Sequence, residues 1–500
     1  MRGKGVEAMI VEKIRFKKRL LVKALGVATA VVMLLSGTAM ESMVYAAESK
    51  PEKTTPAPAT PALKVVRYTG EKSKAVSMAY TAKPELALTF NGLGDEKKLT
   101  QLLADLDTYK IKATFFLPGD QVAKKPQLAK LIVAKGHEIE NNAVTGKDLT
   151  TLSYEQIYQQ IKSSKEQIVK HTDITPKYVR TWIGTYTDDI RLAAAHNGQE
   201  AVIGYSFFLH NWHDETDEQK SKYVRRYINR GGIITLDIDE NIHLPISIPL
   251  IAKAAADTGY QFVPLETLIA HGAEKKTLTA IEGHDAAKIN PDFSGATYKA
   301  VKRFETDEKK VAITIDDWGS DETVTKILNI LDKYHVKSTF FLRADGTVKN
   351  PNLARAILEA GHDVANHSYS HPINTQITTE QLQQEIVKAH QIITEAIQQK
   401  PTMYYRPPAG AVNEQVLKAI AATGYETVAL FDVIPSDHDK RKTADDIVNT
   451  VLEQTKSGSI ILLHMLDDIS TVEALPRIIE GLQQQGYTLV KMTELVEQSE

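Results

Sequence analysis

Apolar residues between positions 311 and 491 fall into short runs separated by stretches of helical period. The runs Val311–Ile315, Lys337–Leu342, Asp363–Asn366, Met403–Arg406, Thr427–Phe431, Ser459–His464 and Tyr487–Lys491 read as strands. The stretches between them carry helix-end signals. Thr378 and Gln381 form a capping box that opens a helix to about Gln399. Asn413 can cap a helix ending at Gly424, and Thr443 one ending at Gly458. Alternation of this kind predicts an α/β fold with a parallel sheet inside and helices outside. Seven such units would nearly close a barrel.

The same unit is written twice. "KATFFL" at 112–117 returns as "KSTFFL" at 337–342, and "KGHEIENN" at 135–142 as "AGHDVANH" at 360–367, both 225 residues apart. "YVRTWIG" at 178–184 returns as "YYRPPAG" at 404–410, offset by 226. An offset this long marks a duplicated domain, not a solenoid repeat of roughly 20–50 residues. The predicted organisation is a first copy at 76–272, a charged, turn-rich linker with room for one hairpin at 273–305, and a second copy at 306–500.

The N-terminus changes the picture of destination. Basic residues (Lys13, Arg15, Lys17, Lys18, Arg19, Lys23) precede an apolar run, Ala24–Leu35, and small residues up to Ala46. This is the order of a secretory signal peptide over 1–46, with an uncleaved anchor as the alternative. The Pro/Thr/Ala-rich residues 47–75 read as an extended tether. Residues 1–46 hold eight Lys/Arg and three Asp/Glu, so their removal takes the formal charge from −3 to −8. A mildly acidic exported chain is a poor nucleic-acid binder. Cysteine is absent, so disulfides are excluded and any metal ligand must be His, Asp or Glu.

In parallel α/β barrels chemistry gathers at the C-terminal ends of strands. In the second copy that rim receives Asp316-Asp317, then Asn366-His367 with His371 four residues on, then Arg406, then Asp432 with Asp437 behind it, then His464. Each has an ordinary structural explanation: a turn cap for the acid pair, a chance surface pair for the histidines, a core histidine, an arginine clamp. Together on one rim they point to chemistry. On a helical turn the two imidazoles of "HSYSH" would face the same way. Asp317, His367 and His371 make the three-ligand set of a catalytic zinc, with a position left for water. Asp316 would then serve as general base, held ionised by Arg406. His464 would protonate a leaving nitrogen, tuned by Asp437 or Asp432. Backbone N–H groups near Ala409-Gly410 would cradle an oxyanion. The sum describes metal-assisted hydrolysis of an amide or ester.

These residues resemble the motifs of the polysaccharide deacetylase family (carbohydrate esterase family 4, the NodB-like domain). Its T-F-D-D-G stands here as "TIDDW", its H-[ST]-x-x-H as "HSYSH", its R-x-P-[YF]-G as "RPPAG", its D-x-x-D-W region as "DVIPSDH", and its L-x-H as Leu462-Leu463-His464. The resemblance covers 311–495. It implies two tandem deformed (β/α)7 barrels and removal of N-acetyl groups from an amino-sugar polymer. It makes Asp316 the base, Asp317, His367 and His371 the ligands of Zn2+ (Co2+ or a similar divalent ion being the alternative), His464 the acid and Asp437 its tuner. Leu462 would line the acetyl pocket. Three positions depart from the pattern: Trp318 replaces a Gly, His438 a Trp and Ala409 an aromatic. Trp318 is expected to narrow the cleft or to offer a face to sugar.

In the first copy the repeat aligns Asn91, Gly92, Asn142, Gly146, Asn211 and Asp237 with the six reactive positions, and only Arg406 persists, as Arg180. That copy reads as a non-catalytic barrel, with "HNWHDE" at 210–215 as its one unusual loop. The resemblance implies an acetylated glycan as partner, peptidoglycan first and chitin-type, exopolysaccharide or acetylxylan substrates next, and the expectation is a monomer with its barrels packed together. Two other readings compete: a glycan-binding envelope protein with a vestigial site, and an amidase acting on a smaller amide.

Overall fold

A computed structural model describes residues 65–144, 148–182, 184–209, 215–241 and 244–497. The signal peptide, most of the tether, Gly146 and residues 210–214, including Asn211, lie outside the described residues. Two parallel sheets follow one another along the chain. The first holds β1 (Lys74–Val76), β2 (Glu85–Asn91), β3 (Thr114–Leu117), β4 (Glu138–Asn141), β5 (Tyr178–Val179), β6 (Ala201–Ile203), β7 (Phe207–Phe208), β8 (Gly232–Asp237) and β9 (Gln261–Phe262). The second holds β10 (Lys299–Val301), β11 (Lys310–Asp317), β12 (Thr339–Leu342), β13 (Asp363–Asn366), β14 (Tyr404–Tyr405), β15 (Thr427–Ala429), β16 (Ile460–His464) and β17 (Thr488–Leu489).

The order is β1-β6-β5-β4-β3-β2-β8-β7 in the first sheet, with β9 beside β2. It is β10-β15-β14-β13-β12-β11-β16 in the second, with β17 beside β11. Among the described residues, the second barrel closes through isolated bridges, Arg303 to Ser459 and Val433 to Ile461. Strand β10 lies within the segment read from sequence as a linker and pairs with β15. Helices cover the outside of both sheets, as the alternating pattern requires. The Thr378–Gln381 capping box forms and opens Thr379–Ile397; Asn413 and Thr443 cap Glu414–Ala421 and Ala444–Gln454, which end a few residues early.

The two faces of the second sheet bury different residues. Ile313, Ile315, Phe340, Leu342 and Leu463 pack outward beneath the helices. Ala312, Phe341, Ala365, Ala429 and Ile460 fill the barrel, packed with Met492 and Leu495 of the last helix. The period of two therefore turns Thr314 and Asp316 inward, above Ala312.

The barrels are joined through a buried ion pair, Arg230 Nε to Asp321 Oδ1 at 3.2 Å. Arg230 also donates to Thr325 Oγ1 at 2.6 Å, and Asn352 Nδ2 donates to the carbonyls of Ala79 and Arg230, each at 2.7 Å. Such a pair contributes little net stability, because desolvation of the two charges offsets their attraction.

Candidate active site

Asp316 and Arg406 meet inside the second barrel. Arg406 follows β14, and its Nη1 donates to Asp316 Oδ1 at 2.8 Å and to Thr314 Oγ1 at 2.7 Å. Nε and Nη2 donate to the carbonyls of Ala429 and Leu430, each at 3.3 Å. The guanidinium lies 4.0 Å above the centre of the Phe341 ring. Burial pushes the Asp316 carboxyl above the usual carboxylate range, against the pull of Arg406 and His464.

Asp317 has a left-handed backbone, φ +78°. This strained conformation ends the inward–outward alternation of β11. Its Oδ1 is buried with no hydrogen-bond partner. His371 Nε2 is 3.6 Å away and Arg343 Nη1 3.9 Å. His367 follows β13; its Nδ1 donates to the Arg406 carbonyl at 2.8 Å, which leaves Nε2 as the lone-pair nitrogen. Burial holds His367 at about 3, so the ring is neutral. One ligand atom from each of Asp317, His367 and His371 lies within 4.8 Å of the others. A lone carboxylate oxygen and two imidazoles are the donor set a zinc-type divalent ion takes. The residues therefore fit a metal.

The histidines do not come together on a helical turn, as the four-residue spacing suggested. The segment is irregular, with left-handed residues at Ser368 (φ +67°) and His371 (φ +65°). Ser368 Oγ accepts from the His371 N–H at 3.0 Å, and Glu385 accepts from the Ser370 N–H at 2.7 Å. These bonds set the rings 4.9 Å apart at 71°.

His464 ends β16 in register with Asp316. Its Nδ1 bonds Asp437 Oδ1 at 2.7 Å, while its N–H and the Thr471 hydroxyl donate to Oδ2 at 2.8 and 2.6 Å. Burial opposes a charge on His464, but the Asp437 hydrogen bond and carboxylate outweigh it, so the pKa is raised. Asp437, His438 and His464 form a second cluster of possible donor atoms within 4.8 Å. Both Asp437 oxygens are already occupied, which makes Asp437 an orienting partner of His464.

Other expectations change. Asp432 accepts from Ser459 Oγ and the Ile460 N–H, each at 2.8 Å, at the start of β16, so it does not reach His464. The Gly410 N–H donates to the Pro407 carbonyl at 2.9 Å, which takes it from the oxyanion role and leaves Ala409, exposed and left-handed at φ +55°. Leu462 is buried on β16. Trp318 packs on Gly346, where an added Cβ would lie 2.2 Å from the indole Cγ, so its ring is a fixed wall. Thr314, Thr471 and Arg343 were missed from sequence. The first two are anonymous strand and helix residues, but the repeat aligns Arg343 with Pro118, a visible difference.

In the first barrel, Arg180 Nη1 donates to Thr89 Oγ1 at 2.8 Å and to Asn91 Oδ1 at 3.3 Å. Gly92 repeats the backbone of Asp317 at φ +85°, but a Cβ there would lie 2.4 Å from Asp239 Oδ2. Asn142 donates to the Arg180 carbonyl at 3.2 Å, and Asp237 accepts from the Glu240 N–H at 2.8 Å.

A family model described as polysaccharide deacetylase matches residues 79–202 and 303–428, together half of the chain. A peptidoglycan-N-acetylglucosamine deacetylase of Bacillus cereus is 35% identical over 193 residues, 38% of this chain and 89% of that one. The peptidoglycan-N-acetylmuramic acid deacetylase PdaA of Bacillus subtilis is 31% identical over 207 residues, 41% and 77% of the two chains. Among solved structures, a CE4 family pseudoenzyme from Bacillus anthracis is 32% identical over 41% of this chain and 70% of its own, with a TM-score of 0.38.

Proposed function

Because this chain belongs to the polysaccharide deacetylase family, we propose that it is an exported hydrolase whose second barrel removes N-acetyl groups from an amino-sugar polysaccharide, with peptidoglycan as the polymer. The observation that carries the reading is the cluster of Asp317, His367 and His371 flanked by two oriented proton carriers, Asp316 with Arg406 and His464 with Asp437. The names of relatives that act on peptidoglycan favour that polymer over chitin or xylan.

Asp317, His367 and His371 would hold a divalent ion, zinc first, which supplies Lewis-acid polarisation of the acetyl carbonyl and acidifies water. Asp316 takes the proton of the attacking water on its carboxylate, kept in place by Arg406. His464, protonated with Asp437 on Nδ1, gives a proton from Nε2 to the leaving amine nitrogen. The Ala409 N–H is the remaining loop donor for the oxyanion, and Leu462 and Trp318 wall the pocket. The first barrel is non-catalytic in this reading, since Asn91, Gly92 and Asn142 offer no ligand of the kinds zinc prefers. Among the described residues no helix is long and apolar enough to cross a membrane. Export therefore rests on the N-terminal sequence.

The test is acetate release from peptidoglycan, chitin oligomers and acetylxylan, with and without chelator. Chelator-sensitive release from peptidoglycan is expected. No release from any polymer, with glycan binding retained, would favour a vestigial site; release only from small amides would favour an amidase.

A further inference from the structure

Beside the metal-ligand cluster, a cavity of about 280 Å³ runs along the seam between the barrels. Trp318, Arg343 and Lys349 line it from the second barrel; Arg226, Tyr227 and Asn229 line it from the first. Arg343 also reaches Asp317 at 3.9 Å, so the cavity abuts the candidate metal site through one side chain. A second cavity, of about 400 Å³, continues the seam and shares Arg226, Ser320 and Asp467 with it.

The charge there is uneven. Arg226 and Lys349, one from each barrel, have no carboxylate within 4 Å among the described residues. The field of Arg226 reaches Asp468, but without an ion pair. The two acids of the wall are engaged elsewhere. Asp321 is buried against Arg230 and Asn350. Asp467 Oδ1 accepts from the Ser320 N–H, the Ser320 hydroxyl and the Thr323 hydroxyl at 3.0, 2.7 and 2.6 Å. The wall is also fixed. The helix Asp217–Tyr227 that carries Arg226 is tied to the second barrel by Lys222–Asp468 at 3.0 Å and Arg225–Glu322 at 3.5 Å, and Arg230 follows it closely. The helix is held this way, and the exposed, planar guanidinium that Arg226 presents from it can fork onto a carboxylate.

We infer that the non-catalytic barrel completes the substrate cleft: Arg226, with Lys349 opposite, forms a subsite for a carboxylate-bearing substituent of the glycan next to the sugar being deacetylated. The inference rests on the reading of the second barrel as acting on a cell-wall glycan, whose stem-peptide carboxylates supply that chemistry, the lactyl carboxyl being an amide wherever a peptide is attached. Chitin-type chains have none. The cavity lies near the lower end of the size range of ligand pockets, roughly 300–1,000 Å³, enough for a substituent and not for a folded partner. It gives the first barrel a task that its lost rim residues do not contradict.

The experiment measures binding to the full-length, zinc-loaded Asp316→Asn protein, so that turnover does not intervene. The probes are a disaccharide-tetrapeptide fragment of peptidoglycan and tetra-N-acetylchitotetraose. The acidic fragment is expected to bind more tightly. Arg226→Glu should cut that preference about tenfold, the scale of one charge-assisted hydrogen bond, and Arg226→Lys should restore part of it. A preference unchanged in Arg226→Glu, or a loss shared equally by both fragments, overturns the subsite. Acetate release by the parent chain is scored separately. Its absence would refute the catalytic reading, while the binding ratio still decides the subsite.

Discussion

Replacing Asp316 with Asn separates chemistry from architecture, because the first barrel already contains the product. There Arg180 faces Asn91 at 3.3 Å and keeps its bonds to Thr89, Ile203 and Gly204. In the parent second barrel, Arg406 faces Asp316 at 2.8 Å. At an effective dielectric of about 20, that contact is worth roughly 6 kcal/mol of gross attraction. Desolvation of the buried carboxylate offsets several kcal/mol of it. Breaking a buried pair usually costs about 3–5 kcal/mol, because one charge is left without any partner. Here the carboxamide oxygen still accepts and the other donors of Arg406 remain satisfied, so about 1–3 kcal/mol is expected. For a domain of this size that lowers the melting temperature by about 2–12 °C. Turnover should fall by about 10²–10⁴, the usual worth of a general base. The assay is acetate release at matched zinc content, with a thermal melt on the same sample. Activity within a few-fold of the parent would remove Asp316 as base. Loss of zinc along with activity would make it a ligand instead, since its Oδ2 is 3.7 Å from His367 Nε2.

The alkaline limb of the pH–rate profile should lie above the ordinary histidine range, because Asp437 raises His464 and the protonated form is the acid; Asp437→Asn should move that limb to lower pH, and a limb that does not move would remove His464 as the titrating group. Acid should destabilise both barrels through His137 and His362, each held at about 4 by burial, with Nδ1 accepting a backbone N–H at 3.1 Å. Their folded pKa values lie below the unfolded value of about 6.5, so stability is intact above pH 6.5 and falls toward pH 4 as unfolding takes up about one proton per histidine. His362→Asn should flatten the pH dependence of the denaturant midpoint; an unchanged slope would assign the acid sensitivity elsewhere. Expressed apart, residues 273–500, which keep β10 with its sheet, should bind one divalent ion and residues 64–272 none at the equivalent place. Metal analysis of the two halves decides this, and stoichiometric zinc on the first half would end its description as non-catalytic and direct attention to His210 and His213.

The sequence carried the strands and the candidate site residues because both leave local marks. Seven apolar runs of the second copy became strands, and the Asp316-Asp317, His367, His371, Arg406, Asp437 and His464 set shares one rim. What escaped was short or tertiary. Strands β1 and β10 are three residues long with little burial, yet both read "KAV" at the 225-residue offset, so the repeat held a signal that hydropathy did not. The Gly410 N–H turned away through a local 3₁₀ turn that the motif "RPPAG" does not spell out. Arg226 comes to the seam only when the two barrels dock, and nothing near it in sequence resembles a site.

The divergence of the two barrels also shows what Arg406 is for. If its purpose were only to hold a carboxylate, Arg180 would have no reason to persist beside Asn91. Yet Arg180 is fully buried, and burial holds its pKa down at about 9 with no carboxylate against it. It stays because it bridges the barrel: Thr89 on β2, the carbonyls of Ile203 at the end of β6 and of Gly204 after it, and the Phe116 ring, whose centre is 3.9 Å away. Arg406 makes the same bridge to Thr314, Ala429, Leu430 and Phe341. The arginine is therefore first a strut across the sheet, and the electrostatic hold on Asp316 is added to that role. A change at Arg406 would lower stability and turnover together and could not tell them apart. A change of Asp316 to Asn removes the added function at a small cost in stability, because the fold has already been built once with Asn91 at that place.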